Sequence, residues 1–227
     1  RVYIYYDHNG DDEQVAREDT DEHGDFQVTF EVPESYTGDH TVLAEDREGK
    51  YAFTEFEVEP GLTVSPEKGA VGTTVTVEGH GFAEEEENID LLYYLYGEDF
   101  EAVVEHIEAN DDGSWERSFE IPSSHQGDHE IDAEGDESQD YEVEDATFEV
   151  IPAISLDRSS GSVGENITMT GSGFYADDSY IKLLFAGEEA ETEPEIIRAG
   201  ENGNWTASFK VPQMPTGTYI VTAEGER

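Results

Sequence analysis

Seven histidines could act as a base or as an imidazole ligand near neutral pH: His8, His23, His40, His80, His106, His125 and His129. A hydrolase would place one of them beside a nucleophile, with a third group to orient it. The spacing argues against this. His40 and His129 end two copies of the phrase GDH, at 38–40 and 127–129, but a third copy reads GTY and carries Tyr219. A position that accepts Tyr in place of His is an aromatic strand position. His125 and His129 stand four apart in a turn and a strand, not on one helix face. No catalytic residue is expected, and the chain reads as a non-enzyme.

Carboxylates are the other candidates. There are 57 Asp plus Glu against 11 Lys plus Arg, a formal net charge of −46. They cluster at 18-EDTDEHGD-25, 84-EEEEN-88, 110-NDDG-113 and 134-EGDESQD-140. Hard cations take roughly six to eight oxygens from such groups. None of the clusters has the EF-hand spacing. One reading is solvated turns, with Asp and Asn chosen for backbone geometry. The other is divalent binding, with Ca2+ as the one implied cofactor. It fits best where 57-EVEP-60 and 149-EVIP-152 join repeats, with Glu57, Glu59 and Glu149 as ligands that would stiffen a hinge. With no Cys, neither a disulfide nor a thiolate metal site can form. Two glycosylation sequons, 166-NIT-168 and 204-NWT-206, place Asn166 at a strand start and Asn204 in an accessible turn.

The charge also bounds the partners. Nucleic acid and anionic membranes are disfavoured, because both are bound through cationic residues. No run of about 18 apolar residues is present to span a membrane. Self-repulsion in the folded chain calls for counter-ions, either as screening salt or as bound divalents. Only four basic residues are Lys, a balance like that of proteins from salt-loving microbes. The chain does not begin with Met and is expected to be an internal window of a longer or processed precursor.

The elements that must carry these residues come from a repeat. The phrase 113-GSWERSFEIPSSHQGDH-129 recurs as 24-GDFQVTFEVPESYTGDH-40 and as 203-GNWTASFKVPQMPTGTY-219. Pro33, Pro122 and Pro212 are 89 and 90 residues apart. A unit of that length can bury its own core, so three beads are expected. Residues 1–59 lack the first two strands, 60–151 are complete, and 152–227 lack the last strand. The stretch 2-VYIYY-6 is aligned with 91-LLYYL-95. The ragged ends arise either from a cut array or from strand complementation between chains.

The complete unit reads as seven strands. Val75 and Val77 alternate with Thr, 89-IDLLYYLYG-97 is a nearly continuous apolar run, and Trp115, Phe119 and Ile121 share one parity with Arg117, which is placed at a rim. The pair 110-NDDG-113 is a hairpin turn, 79-GHGF-82 a tight corner, and 141-YEVEDATFEVI-151 the closing strand. Tyr93 and Tyr94 point to opposite faces, as do Tyr3 and Tyr5 against Tyr6, so one set leaves the core. Short strands with frequent turn signals make the fold class all-β, a series of tandem immunoglobulin-like β-sandwich repeats.

The phrase SPEKGAVGTTVTVEGHGF followed by DDGSWERSFEIP resembles the Ig-like tandem repeats of prokaryotic cell-surface proteins, of the IPT/TIG-like type. In the third unit 159-SSGSVGENITMTGSGF-174 repeats it, with Ser160 where the Pro stood. The acidic hairpin-and-closing pattern is also similar to Ig-like units of archaeal surface-layer and sheath proteins. The resemblance implies an extracellular structural module: a spacer, or the body of a surface layer, sheath or filament, self-associating into a polymer or lattice. The alternatives are an adhesin or carbohydrate-binding module using the Tyr-rich strands, or accessory domains of a larger secreted protein.

Overall fold

The structure is a computed structural model and describes residues 1–8, 11–96, 99–139 and 142–226. Among these there is no α-helix, and every sheet is small and predominantly antiparallel. The all-β expectation holds for the reason given by the sequence: alternation of period two with Gly and Pro at the corners.

The first repeat forms one sheet from β1 (Val2–His8), β2 (Asp11–Glu18), β3 (Gly38–Asp46) and β4 (Tyr51–Val58), ordered β2-β1-β3-β4. The second has β5 (Gly61–Ser65), β6 (Lys68–Gly69), β7 (Thr74–His80), β8 (Ile89–Tyr96), β9 (Asp99–Ile107), β10 (Trp115–Glu120), β11 (Gly127–Glu134) and β12 (Ala146–Val150). They make two facing sheets, β10-β7-β5 and β6-β12-β11-β8-β9. The third has β13 (Ala153–Leu156), β14 (Asn166–Ser172), β15 (Tyr180–Phe185), β16 (Glu188–Glu189), β17 (Thr192–Glu193), β18 (Trp205–Lys210) and β19 (Val221–Glu226), in sheets β13-β14-β18-β17 and β16-β15-β19.

The second repeat has eight strands where seven were expected. The extra one, β6, lies in the segment read as a turn. It exists because the closing strand β12 runs parallel beside it, and Glu149 and Ile151 donate their N–H groups to Glu67 O and Gly69 O. The closing strand begins at Ala146 and not at 141; residues 140 and 141 lie outside the described ones. Gly97, at the end of the expected strand 89–97, lies outside them too.

Each sandwich has its own core. Val75, Val77, Phe82, Leu91, Tyr93, Ile131, Phe148 and Val150 belong to the core of the second repeat, and Ile167, Met169, Ile181, Leu183, Ala207 and Phe209 to that of the third. Trp115 shows how sequence sets the packing. Its indole lies flat on Gly79, where a Cβ would come within 2.2 Å of Cε2, and meets Phe82 edge-on at 5.5 Å. Gly171, Trp205 and Phe174 repeat this arrangement. Arg117 is exposed on the edge strand β10, at the rim as expected.

Candidate functional site

Two residues, Glu59-Pro60 and Ile151-Pro152, separate the last strand of one repeat from the first strand of the next. Such short connections bring the corner of each following repeat against its predecessor. At the first joint the Thr37 N–H donates to Phe82 O at 3.0 Å; at the second the Gln126 N–H donates to Phe174 O at 2.9 Å. Thr37 and Gln126 are repeat equivalents, as are Phe82 and Phe174. One backbone hydrogen bond therefore recurs at both joints.

The corner glycines permit the approach. Gly81 has φ 68° and Gly173 φ 65°, a left-handed region that favours glycine. A Cβ on Gly81 would lie 2.7 Å from Glu59 O, and one on Gly173 would lie 3.0 Å from Ile151 O. Side chains add one polar contact to each joint. His80 Nδ1 lies 3.0 Å from Glu34 Oε2 at the first, and Asn204 Nδ2 donates to Ser123 Oγ at the second.

The expected cation ligands sit beside these joints. Glu57 and Glu149 are repeat-equivalent exposed residues on β4 and β12, each directly opposite an Asp: Glu57 with Asp39, and Glu149 with Asp128. Glu59 is exposed too, and what it gives the joint is its backbone carbonyl. Among the described residues, no group of three or more His, Cys, Asp or Glu is placed to hold a metal ion.

The sequons differ from each other. Asn166 is exposed as the first residue of β14. Asn204 is half-buried, and the amide nitrogen that would carry a glycan is engaged with Ser123 of the preceding repeat. The expected accessible turn is instead part of a joint, because the short linker folds the 110–114 type hairpin back onto its neighbour.

The histidines are distributed as structural groups. His129 is buried, with Nδ1 2.8 Å from Tyr94 O and Nε2 2.8 Å from His125 O. His40 repeats this with Asp7 O and Tyr36 O at 3.0 and 2.7 Å. Each ring stacks on a buried tyrosine, Tyr93 or Tyr6, whose hydroxyl meets Ser124 or Ser35. Burial pushes the Tyr93 phenol up to about 12, only partly offset by its bond to Ser124; burial also raises that of Tyr6. In the third repeat Phe185, Met214 and Tyr219 replace the trio, and the Tyr219 hydroxyl donates to Pro215 O at 2.7 Å. The expectation of an aromatic strand position at residue 219 holds for the aromatic ring, which contacts Phe185, but not for the strand, since β19 begins only at Val221. The trio also corrects the register at the start of the chain: Tyr6 stands where Tyr93 stands, so Val2 matches Ile89 and not Leu91. The shared Tyr–His–Ser contact decides this, which strand pattern alone could not. His23 and His106 are exposed, and the His8 side chain lies outside the described residues.

Sequence reasoning missed Glu86. The run 84–88 was read as a solvated loop, yet Glu86 is 1% exposed. Its carboxylate accepts from the N–H groups of Ala83, Glu137 and Ser138 and from the Ser138 hydroxyl. Asp178, its equivalent in the third repeat, is also buried. An acid kept at one repeat position inside two otherwise dissimilar loops was the available signal.

The tyrosines split as expected. Tyr93 and Tyr6 are in the cores, while Tyr94 lies half-buried against Phe100. On the outer face of the first sheet the register puts Tyr5, Leu43 and Phe53 in one row and Tyr3, Glu45 and Tyr51 in the next. Tyr51 and Phe53 are 68% and 65% exposed.

Residues 150–225 match the family model for the IPT/TIG domain. With the several small sheets, that makes this an all-β chain of Ig-like domains. No curated protein matches the chain. Among solved structures, SGBP-B of the Bacteroides ovatus mixed-linkage glucan utilization locus, in complex with a mixed-linkage heptasaccharide, aligns at 15% identity and a TM-score of 0.27. The alignment covers 99% of this chain and 54% of that one, so the chain spans about half the length of that structure.

Proposed function

We propose that this chain is a non-catalytic, regularly jointed segment of an extracellular protein, which sets distance as a spacer or forms the body of a surface layer, sheath or filament. The single observation that carries the reading is the backbone hydrogen bond repeated at both joints, from Thr37 to Phe82 and from Gln126 to Phe174. A joint made by backbone atoms and corner glycines gives each successive unit the same orientation, whatever its surface side chains. The histidines support a non-catalytic role, since the two buried ones spend both ring nitrogens on backbone carbonyls. In a layer or filament the partners would be copies of the same chain.

Residual dipolar couplings test the joints directly. The second and third repeats should share one alignment tensor in the wild type and lose it in Gly173→Ala. Independent tensors in the wild type would overturn the reading. Ions enter the same picture. Glu57/Asp39 and Glu149/Asp128 are like charges directly opposite on neighbouring strands, a destabilising arrangement. Ca2+ or high salt would relieve it, so the thermal midpoint should fall on chelation or desalting.

A second reading has its own observation. The exposed Tyr51 and Phe53 on β4, separated from Tyr3 and Tyr5 by Glu45 and Leu43 of β3, present aromatic faces of the kind that stack on sugars. A glycan array with Tyr51→Ala/Phe53→Ala as control separates carbohydrate binding from pure spacing.

A further inference from the structure

The two joints share a backbone hydrogen bond but not their side-chain chemistry. At the first, His80 lies between two carboxylates that come from different repeats. Its Nδ1 is 3.0 Å from Glu34 Oε2 of the first repeat, and its Nε2 is 3.7 Å from Glu78 Oε2 of the second. Glu116 of β10 is directly opposite Glu78. At the second joint the positions equivalent to Glu34, Glu78, His80 and Glu116 hold Ser123, Thr170, Ser172 and Thr206. Every titratable side chain of the first set is thus a hydroxyl in the second, and the contact across the second joint is the neutral one from Asn204 to Ser123.

This placement does not come from the shortness of the first repeat. Glu34 follows Pro33 in the loop that reaches the first joint, and Ser123 follows Pro122 in the same loop of the complete second repeat, where it reaches the second joint. The elements packed around the ring add further charges. β5 sets Gly61 opposite His80, and the Glu144 side chain packs beside Gly61. Glu59 in the linker is exposed. β10 adds Arg117, whose Nη1 donates to Glu116 O. The hydrogen-bond inventory ties the contact to one protonation state. An ionised carboxylate only accepts, imidazolium donates from both nitrogens, and neutral imidazole keeps one nitrogen as an acceptor. Only the imidazolium can donate to Glu34 and turn a second N–H toward Glu78 at once. With the ring neutral, one of the two carboxylates meets a lone pair, and Glu34 and Glu78 are like charges with no cation between them.

We propose, resting on the jointed reading of the chain, that His80 makes the first joint a proton-dependent hinge, held closed when its ring is charged and loosened when the ring is neutral, while the second joint is indifferent to pH. An imidazole changes charge between about pH 5 and 8. The clamp is therefore complete on the acid side of that range and is lost as pH rises through it. The ring is 37% exposed, so it exchanges its proton with solvent without any opening of the core. The backbone bond from Thr37 to Phe82 is present with either ring state, and the imidazolium adds to it the part that pH removes.

Residual dipolar couplings on the chain of residues 1–227, in low salt at about pH 5.5 and about pH 8, read both joints at once. The first and second repeats should share one alignment tensor at the lower pH. At the higher pH the closed-to-open ratio of their joint should fall by up to about fivefold, the most that an exposed ion pair supports, and the two tensors should diverge. The second and third repeats should share a tensor at both. His80→Ser installs the residue of the second joint and should remove the pH dependence, with Trp115 fluorescence showing an intact second core. His80→Arg, charged at both values, should keep the shared tensor at the higher pH. A wild-type first joint that is the same at both pH values, an equal change in His80→Ser, or loosening of His80→Arg as in the wild type would overturn the proposal while the second joint still supports the jointed reading. Independent tensors for the second and third repeats at both pH values would overturn that reading and the hinge with it.

Discussion

The same phrase has two fates in this molecule. In the second repeat 115-WERSFEI-121 forms β10, with Trp115 and Ile121 at 6% and 2% exposure. In the first, 26-FQVTFEV-32 keeps the alternation yet forms no strand, and Phe26 and Val32 are 41% and 42% exposed. What differs is the partner. β10 is hydrogen-bonded to β7 from Trp115–Gly79 to Glu120–Thr74, and the first repeat has no described strand in that place. The closing strand tells the same story. Phe148 is fully buried, whereas its counterpart Phe56, opposite His40 as Phe148 is opposite His129, is 44% exposed. Alternation therefore prepares a segment to be a strand, and the facing sheet decides whether it becomes one.

The sharpest test of that contrast is truncation of the equivalent aromatics. In the chain of residues 1–227, Trp115→Ala should cost about 3–5 kcal/mol, as loss of a large core ring does, while Phe26→Ala should stay within about 0.5 kcal/mol. Urea unfolding followed by circular dichroism measures both, and equal losses would break the comparison. Next comes pH. The neutral Tyr93 phenol is favoured in the folded state, its value being pushed up to about 12. Its contribution is thus complete below about pH 10 and is lost as pH climbs through about 12, up to about 3 kcal/mol. Unfolding monitored at Trp115 should show this loss and Tyr93→Phe should abolish it; Phe185, at the same place in the third repeat, has no proton to lose.

Joint substitutions are smaller. Gly81→Ala forces a left-handed backbone on a side chain aimed at Glu59 O and should cost about 1–3 kcal/mol. Its signature is loss of the shared orientation of the first two repeats, read by dipolar couplings, with the second core intact. Smallest is His80→Ala, which removes the exposed contact with Glu34 and should change stability by less than about 1 kcal/mol, vanishing in high salt.

Much of the fold was legible. The Gly-x-Gly-Phe corner, the Asn110–Gly113 turn and the parity of Trp115, Phe119 and Ile121 all read directly, since each depends on neighbours a few residues away. The joints were half legible. Their position followed from the Pro-containing linkers, but the atoms that make them, Thr37 N–H and Phe82 O, are backbone groups that no side-chain pattern announces. Asn204 looked like an accessible turn residue, and its engagement with Ser123 appears only once two repeats are brought side by side.

The sequence by itself determined the period, the β character and the large negative charge, because alternation, turn chemistry and charge are local or additive properties. Only the tertiary structure decided which copies of a repeated phrase become strands, and that Glu86 is buried among amides while its neighbours face water. These depend on which segment lies across a sheet or loop, and hydrogen-bond satisfaction between segments about fifty residues apart, as for Glu86 with Ser138, has no trace in the local pattern.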